Sequence, residues 1–398
     1  MVSTGMSDNV ITKNTLQRKK LLIIWVYYPA VGHLVEALEV AANYHAVHPN
    51  IEIHLLLNSK TPYQLAEYCD FIFKTHNIEI GIAASNNERI KALTLMGFDY
   101  VVFPKRLKYT PQDYPGNLLE INHYLKQVIQ PKIWGGYSDT SSPDKQALSE
   151  KQYTPFKINI PKQKITFSPN YNNFSGPIFS VMLKGASKQT IWPTFKTWST
   201  ILLTIKKKYP KTTFLITGIL SAHLAPKHDE AAIKAKISRF INSIPDAVNC
   251  YDIGLENQLS IIQNSDIFIS PHTGFAFLSP CLDTPWLELS GGEWARTMPA
   301  RIPFYSVLPN CSHYPCSNGD KKPECKLRIK LKQPIKCMAN LTDKTSDILK
   351  GIDKLLNKKY TFEAAFQDYE KSALENKVNL NKLWRIDKYK RDINLSES

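Results

Sequence analysis

The sequence predicts an α/β protein made of two Rossmann-like, parallel-sheet domains that face each other across a cleft. Three observations carry this expectation. Apolar runs bounded by turn residues alternate with helical apolar spacing along most of the chain. Each half opens with the same parts, a strand, a glycine-containing turn and a helix. A pattern-poor stretch rich in Pro, Asn, Ser, Tyr and Gln, residues 104–175, separates the two series. The length of 398 residues suits two domains rather than one core.

In the first half, Lys20 to Tyr27 reads as a buried strand. The turn Pro29-Ala30-Val31-Gly32-His33 follows. Leu34 to His48 has helical spacing, with Leu34, Leu38, Ala41 and Ala42 on one face, and Pro49-Asn50 stops it. Ile51 to Leu57 is the next strand. Strand, turn, helix and strand in this order form a βαβ unit, which makes the sheet parallel. A helix near Pro62–Lys74 and strands near Ile78–Ala83 and Tyr100–Phe103 continue the alternation.

The second series begins with a strand over Pro177 to Leu183 and a turn at Lys184-Gly185-Ala186-Ser187-Lys188. Trp192 to Tyr209 is helical, with Trp198, Ile201, Leu202 and Ile205 on its apolar side. Strands are expected at Thr212–Thr217, Ala247–Tyr251, Asp266–Ser270 and Trp286–Leu289. Helices are expected at Glu230–Asn242, Glu256–Asn264, Phe275–Leu282, Thr345–Lys358 and Phe362–Trp384. The segment 310–340 reads as irregular. These elements divide the chain into a disordered N-terminus (1–18), a first domain (19–170), a second domain (171–358) and a C-terminal helix (359–398).

Composition excludes several classes. Apolar residues make up 43% and charged residues 21%, which is globular rather than disordered. The longest apolar run, Leu21 to Tyr28, is far short of the ~20 residues of a spanning helix. The polar N-terminus carries no secretory pattern, so a cytoplasmic protein is expected. The net charge of +15 favours an acidic partner: nucleic acid, a phosphorylated substrate or the anionic inner face of a membrane. Solvated lysines at Lys206–Lys208, Lys321–Lys336 and Lys382–Arg391 account for the surplus equally well. The 7 cysteines include no C-x-x-C, so packed thiols are expected rather than a zinc ribbon or disulfide framework.

Many common sites are missing. There is no G-x-G-x-x-G, P-loop, G-x-S-x-G, D-x-D or H-E-x-x-H. Three turns remain. Gly32-His33 follows the first strand, where open α/β sheets bind ligands, and an imidazole there can accept a proton; it can equally be a solvent-facing helix start. At Lys184–Lys188, Gly185 lets the backbone approach an anion, Ser187 offers a hydroxyl and Lys188 a point charge, or the turn is an ordinary one. Ser270-Pro271-His272-Thr273-Gly274 precedes an apolar helix. Its N–H groups can hold a diphosphate without metal, with Thr273 as donor and Gly274 leaving room. The plainer alternative is N-capping by Thr273.

The run Ser265-Asp266-Ile267-Phe268-Ile269-Ser270-Pro271-His272-Thr273-Gly274-Phe275, followed by Leu282-Asp283-Thr284-Pro285-Trp286-Leu287-Glu288-Leu289, resembles the donor-site signature of GT-B glycosyltransferases. It is most like that of the family 9 enzymes typified by lipopolysaccharide heptosyltransferases, which carry a D-T-G-x-x-H-x-A-x-A-L-G-T-P-like run here. Gly185-Ala186-Ser187 with Trp192-Pro193 resembles that family's earlier phosphate-binding segment, and the stretch ending Cys337-Met338 its C-terminal pattern. His272 stands where the family usually has Asp, and Phe277 where it often has His. Gly32-His33 replaces its Gly-Asp and is similar instead to family 1 enzymes, in which the His is the base.

The resemblance implies a metal-independent, inverting glycosyltransferase without cofactor. The second domain would take a nucleotide-diphosphate sugar through Gly185, Ser187, Lys188, His272, Thr273 and Gly274; Glu288, just after a strand begins, can reach a ribose hydroxyl or equally be an ordinary surface residue. The first domain would present a glycan, lipid-linked or other hydroxyl acceptor beside Gly32, with His33 as base. It also implies that the last helix crosses back to the first domain. A GT-B nucleotide-sugar epimerase and a non-catalytic basic nucleic-acid-binding protein are the alternatives; the basic runs lack aromatic platforms, so no nucleic acid is expected.

Overall fold

The computed structural model describes residues 18–26, 29–103, 124–125, 127–128, 133–136, 154–185, 192–220, 230–289, 298–309, 311, 314 and 323–376. The expected disordered N-terminus lies outside these residues, apart from Arg18, as do the Lys382–Arg391 run and the end of the last expected helix at Trp384.

The first domain holds a five-stranded parallel sheet: β1 (Lys20–Trp25), β2 (Glu52–Asn58), β3 (Lys74–Ile78), β4 (Tyr100–Phe103) and β5 (Ile133–Gly136) in the order β3-β2-β1-β4-β5. The second holds six parallel strands: β6 (Ile178–Met182), β7 (Thr213–Gly218), β8 (Ala247–Tyr251), β9 (Ile267–Pro271), β10 (Trp286–Leu289) and β11 (Phe304–Val307), in the order β11-β10-β9-β6-β7-β8. Central strands such as β1 (KLLIIW) and β9 (IFISP) are buried along nearly their whole length. Sheets covered on both faces demand such continuous apolar runs. Both orders reverse beside the first strand of the domain, between β1 and β4 and between β6 and β9. These reversals are the switch points where doubly wound sheets bind ligands.

Helix α1 (Val31–Val47) joins β1 to β2, and every residue from Gly32 to Tyr44 except His33 is buried. One face serves the first sheet. The helix also belongs to a core cluster that includes Phe268, Phe277, Leu278 and Trp286 of the second domain, so a single apolar core runs through both halves. Residues 154–160 stitch the halves further: Phe156 N–H donates to Pro299 O, Ile158 N–H to Cys281 O and Asn159 N–H to Tyr68 O. Tyr68 Oη donates to Glu256 Oε1 across the same boundary at 2.8 Å.

The structure corrects several expected elements. The third strand is Lys74–Ile78 rather than Ile78–Ala83; it is a half-exposed edge strand with polar His76 and Asn77, so it shows no apolar run. The helix expected over Pro62–Lys74 is the short α2 (Gln64–Glu67), and α3 (Glu88–Thr94) follows. The pattern-poor 104–175 stretch contributes β5. In the second domain come α4 (Phe195–Lys208), α5 (Glu230–Asn242), α6 (Leu255–Gln263) and α7 (Leu278–Cys281). The segment read as irregular holds α8 (Pro323–Lys330) and α9 (Lys336–Ala339). Then α10 (Thr345–Leu356) and α11 (Phe362–Glu375) close the described chain. The last helix, expected over Phe362–Trp384 to cross back onto the first domain, is described as α11 over Phe362–Glu375 and packs on β11 of the second domain, with Phe362 and Tyr369 against Phe304; the rest of the expected helix lies outside the described residues.

Candidate functional site

Three turns leave the sheets at their switch points: Pro29–Gly32 after β1, Leu183–Gly185 after β6, and His272–Gly274 after β9. The structure brings them together. A Cβ built on Gly32 would lie 2.8 Å from Gly274 Cα, and one on Gly274 would lie 2.7 Å from Gly32 N. One on Gly185 would lie 3.1 Å from the Thr273 side chain and 3.2 Å from Trp192. Glycine at Gly274 therefore has a reason the sequence did not show: the backbone of α1 from the other domain packs directly on it. Ser187 and Lys188 lie outside the described residues.

The start of α1 has no side-chain cap and no acidic residue in its first turn. His33 projects from it, its side chain 30% exposed, with Nδ1 3.1 Å from Glu36 Oε2. Glu36 is one turn further along and almost fully buried. A buried carboxylate on Nδ1 fixes the orientation of the ring. Sequence reasoning missed Glu36, although its i,i+3 spacing from His33 was readable.

The second centre is a buried polar chain. His272 Nδ1 lies 2.5 Å from Glu288 Oε1, and Ser306 Oγ donates to Glu288 Oε2 at 2.6 Å. Glu288 is wholly buried on β10. The expectation of a Glu288 reaching a ribose is thus replaced: both oxygens face protein partners, and the carboxylate anchors the His272 ring. Phe277, 5.2 Å away, and Trp286, 6.2 Å away, wall that ring. Trp286 Nε1 donates to Ser270 Oγ at 3.0 Å, which fixes the β9–β10 pair below the turn. Thr273 Oγ1 accepts from Ala276 N–H at 3.2 Å and donates to Met182 Sδ at 3.9 Å. The hydroxyl therefore both caps the following turn and ties it to β6.

Lys184 sits half-buried beside Gly185, and burial pushes its ammonium down to about 8. The preceding carbonyl, Leu183 O, accepts from Trp198 Nε1 at 2.9 Å. Among the described residues no cluster of three metal-ligating side chains occurs, and no helix is long and apolar enough to cross a membrane.

The fold has counterparts among solved structures. A glycosyl transferase family 9 protein from Veillonella parvula DSM 2008 matches with a TM-score of 0.55 at 10% identity, over 85% of this chain and 97% of that one. The ADP-heptose lipopolysaccharide heptosyltransferase II of E. coli matches with a TM-score of 0.54 at 12% identity, over 85% and 98%. The fold is GT-B. No family model and no curated protein matches the sequence. At such identities the likeness is one of fold, and the site must be argued from its own residues. The β6 and β9 turns of the second sheet thus meet the start of α1 from the first.

Proposed function

We propose that this protein is a glycosyltransferase that moves a sugar from a nucleotide-diphosphate sugar to an acceptor hydroxyl, with inversion and without metal. The observation that carries the reading is the meeting of the Gly32-His33 turn with the Thr273-Gly274 turn, at the switch points of two sheets in a GT-B fold. The second domain (171–358) binds the donor, as the solved family 9 relatives of similar fold suggest. The first domain (19–170) presents the acceptor.

His33 Nε2 takes the proton from the acceptor hydroxyl while Glu36 holds Nδ1. The acceptor oxygen attacks the anomeric carbon, and the bond to the diphosphate breaks. Backbone N–H groups at the Gly185 and Thr273–Gly274 turns, with Ser187, Lys188 and His272, stabilise the departing charge. Fixed donors of this kind contribute roughly 3–4 kcal/mol each when well placed. The acceptor is a glycan, a lipid-linked saccharide or another hydroxyl compound. The +15 charge suits work at the anionic inner face of a membrane.

A thermal-shift screen of nucleotide sugars, followed by product analysis with candidate acceptors, tests the reading. A donor at ~100 times its dissociation constant adds about 2.7 kcal/mol of stability. Stabilisation by no nucleotide sugar would overturn it. Conversion of a bound donor to its epimer with no acceptor present would replace transfer by epimerisation.

A further inference from the structure

Helix α8 lies within the Lys321–Lys336 run, which the proposed reaction does not use. Cys325 and Ile329, one turn apart, fix the underside of this helix against Trp192, Ile335 and Met338. Leu327 and Leu331, also one turn apart, stand on the opposite side, 57% and 56% exposed. A single exposed leucine is ordinary, but two on one helix face within a rim of cations make an amphipathic surface. Residues 323–336 carry five cations and one carboxylate, Glu324. Glu324 is met by Lys336 at 3.3 Å. Lys326, Lys330 and Lys332 are exposed and have no ion-pair partner among the described residues. The end of the helix holds its cation at a cost. Lys332 closes α8 in the left-handed region, φ 57°. Its N–H donates to Ile329 O at 3.0 Å, and Gln333 N–H donates to Arg328 O at 2.8 Å, a cap that ordinarily takes glycine. A lysine there bears strain that glycine would not.

We propose that α8 docks this protein on an anionic bilayer: Leu327 and Leu331 enter the membrane interface, and Lys326, Lys330 and Lys332 meet the lipid phosphates around them. A nucleic acid would answer to the same cations but would leave both leucines in water, whereas a bilayer buries them. The surface belongs to the second domain and lies close to the candidate site. Trp192, which packs against Cys325 below α8, also lies 3.2 Å from the Cβ position of Gly185 in the turn after β6. The inference goes beyond the transfer reaction and does not depend on it; it gives the membrane part of the reading above a defined surface.

Co-sedimentation of the full chain with vesicles tests this, with no nucleotide sugar present. One set is phosphatidylcholine alone, the other equimolar phosphatidylcholine and phosphatidylglycerol. Wild type should bind the mixed vesicles, bind the neutral ones about ten-fold less or weaker, and be largely released by about 0.5 M salt. Leu327→Gln/Leu331→Gln should weaken binding by about ten-fold or more. Lys326→Gln/Lys330→Gln should weaken it about five-fold per lysine. Both pairs are exposed, so circular dichroism and melting temperature should stay at their wild-type values. Lys332→Gly relieves the strained cap; it should melt at or above the wild-type temperature and still bind the mixed vesicles about five-fold less. Undiminished binding by the leucine pair overturns the proposal and leaves membrane contact to another surface. Preference of the wild type for duplex DNA over mixed vesicles, unchanged in the leucine pair, overturns it in favour of a nucleic acid. Failure of the wild type to bind mixed vesicles overturns the proposal and the membrane reading together, while the transfer reaction stands or falls on nucleotide-sugar binding.

Discussion

At the scale of single residues, two buried carboxylates each hold a histidine, and the consequences of removing them differ. Glu36 lies against His33 at the mouth of the site, whereas Glu288 is sealed beneath His272. Positioned base catalysis contributes roughly 10²–10⁴-fold. His33→Ala should therefore lower turnover by about that factor and leave nucleotide affinity nearly unchanged, as steady-state kinetics and calorimetry on the same variant will show. Retention of most of the rate would move the base elsewhere. Glu288→Ala strips His272 and Ser306 of their common partner and should cost about 1–3 kcal/mol of folding stability. Glu288→Gln keeps an acceptor for His272 and should cost less; urea denaturation of both variants decides, and equal losses would refute the anchoring role. Part of this was legible: Gly32, His33, Gly185, Thr273 and Gly274 stand out as turn residues in the sequence. The burial of Glu288 was not, because a lone Glu in Trp286-Leu287-Glu288-Leu289 gains its two partners only from the turn after β9 and from β11.

At the scale of elements, legibility followed burial. The central strands announce themselves as apolar runs, and α5, β8 and β10 fall where periodicity puts them. Of the edge strands, β8 is legible but β3 and β11 are not. β3 carries one fully buried residue, and β11 is four residues long, so neither leaves a pattern. Register hides a further pair: His54 Nδ1 on β2 and His76 Nε2 on β3 lie 3.0 Å apart. Burial, then the facing His76 and the Lys20 and Lys74 ammoniums, pushes His54 down to about 3. Burial and Lys74 push His76 down to about 4. Both rings are thus neutral when folded, while the unfolded chain takes up protons near the ordinary value of about 6.5. Their contribution to stability is complete above that value and is lost as pH falls toward 4 and then 3. Guanidinium denaturation at pH 7 and pH 4.5 should show a smaller acid loss for His54→Gln/His76→Gln than for wild type. Identical losses would place the acid sensitivity elsewhere. At the helix level, Thr194 Oγ1 accepts from Thr197 N–H at 3.1 Å, so Thr194→Ala should lower stability by about 1 kcal/mol in the same assay.

At the scale of the whole molecule, the two domains share a core, and at the switch points their nearest approach is backbone on backbone at Gly32 and Gly274, with the Phe277 ring beside it. Gly32 and Gly274 let α1 of one domain reach the turn after β9 of the other with no side chain between the two backbones. If the domains close on a donor, this contact lies where closure would be limited. Hinged domains of this kind contract on ligand. A valine at Gly274 would drive its Cβ into Gly32 N and Cα, both under 3.0 Å away and both backbone, so no rotamer change relieves it. The relief open to the molecule is a small rotation of one domain from the other, against the apolar core that joins them. Small-angle scattering should therefore give Gly274→Val a larger radius of gyration than wild type, with a lower melting temperature. Nucleotide-sugar affinity should fall in the same variant, because the β9 turn no longer faces the start of α1. Wild type should contract at saturating nucleotide sugar, whereas the variant should not reach the wild-type radius at any concentration. A folded Gly274→Val protein with the wild-type radius and affinity would show that the glycine contact neither limits closure nor shapes the site.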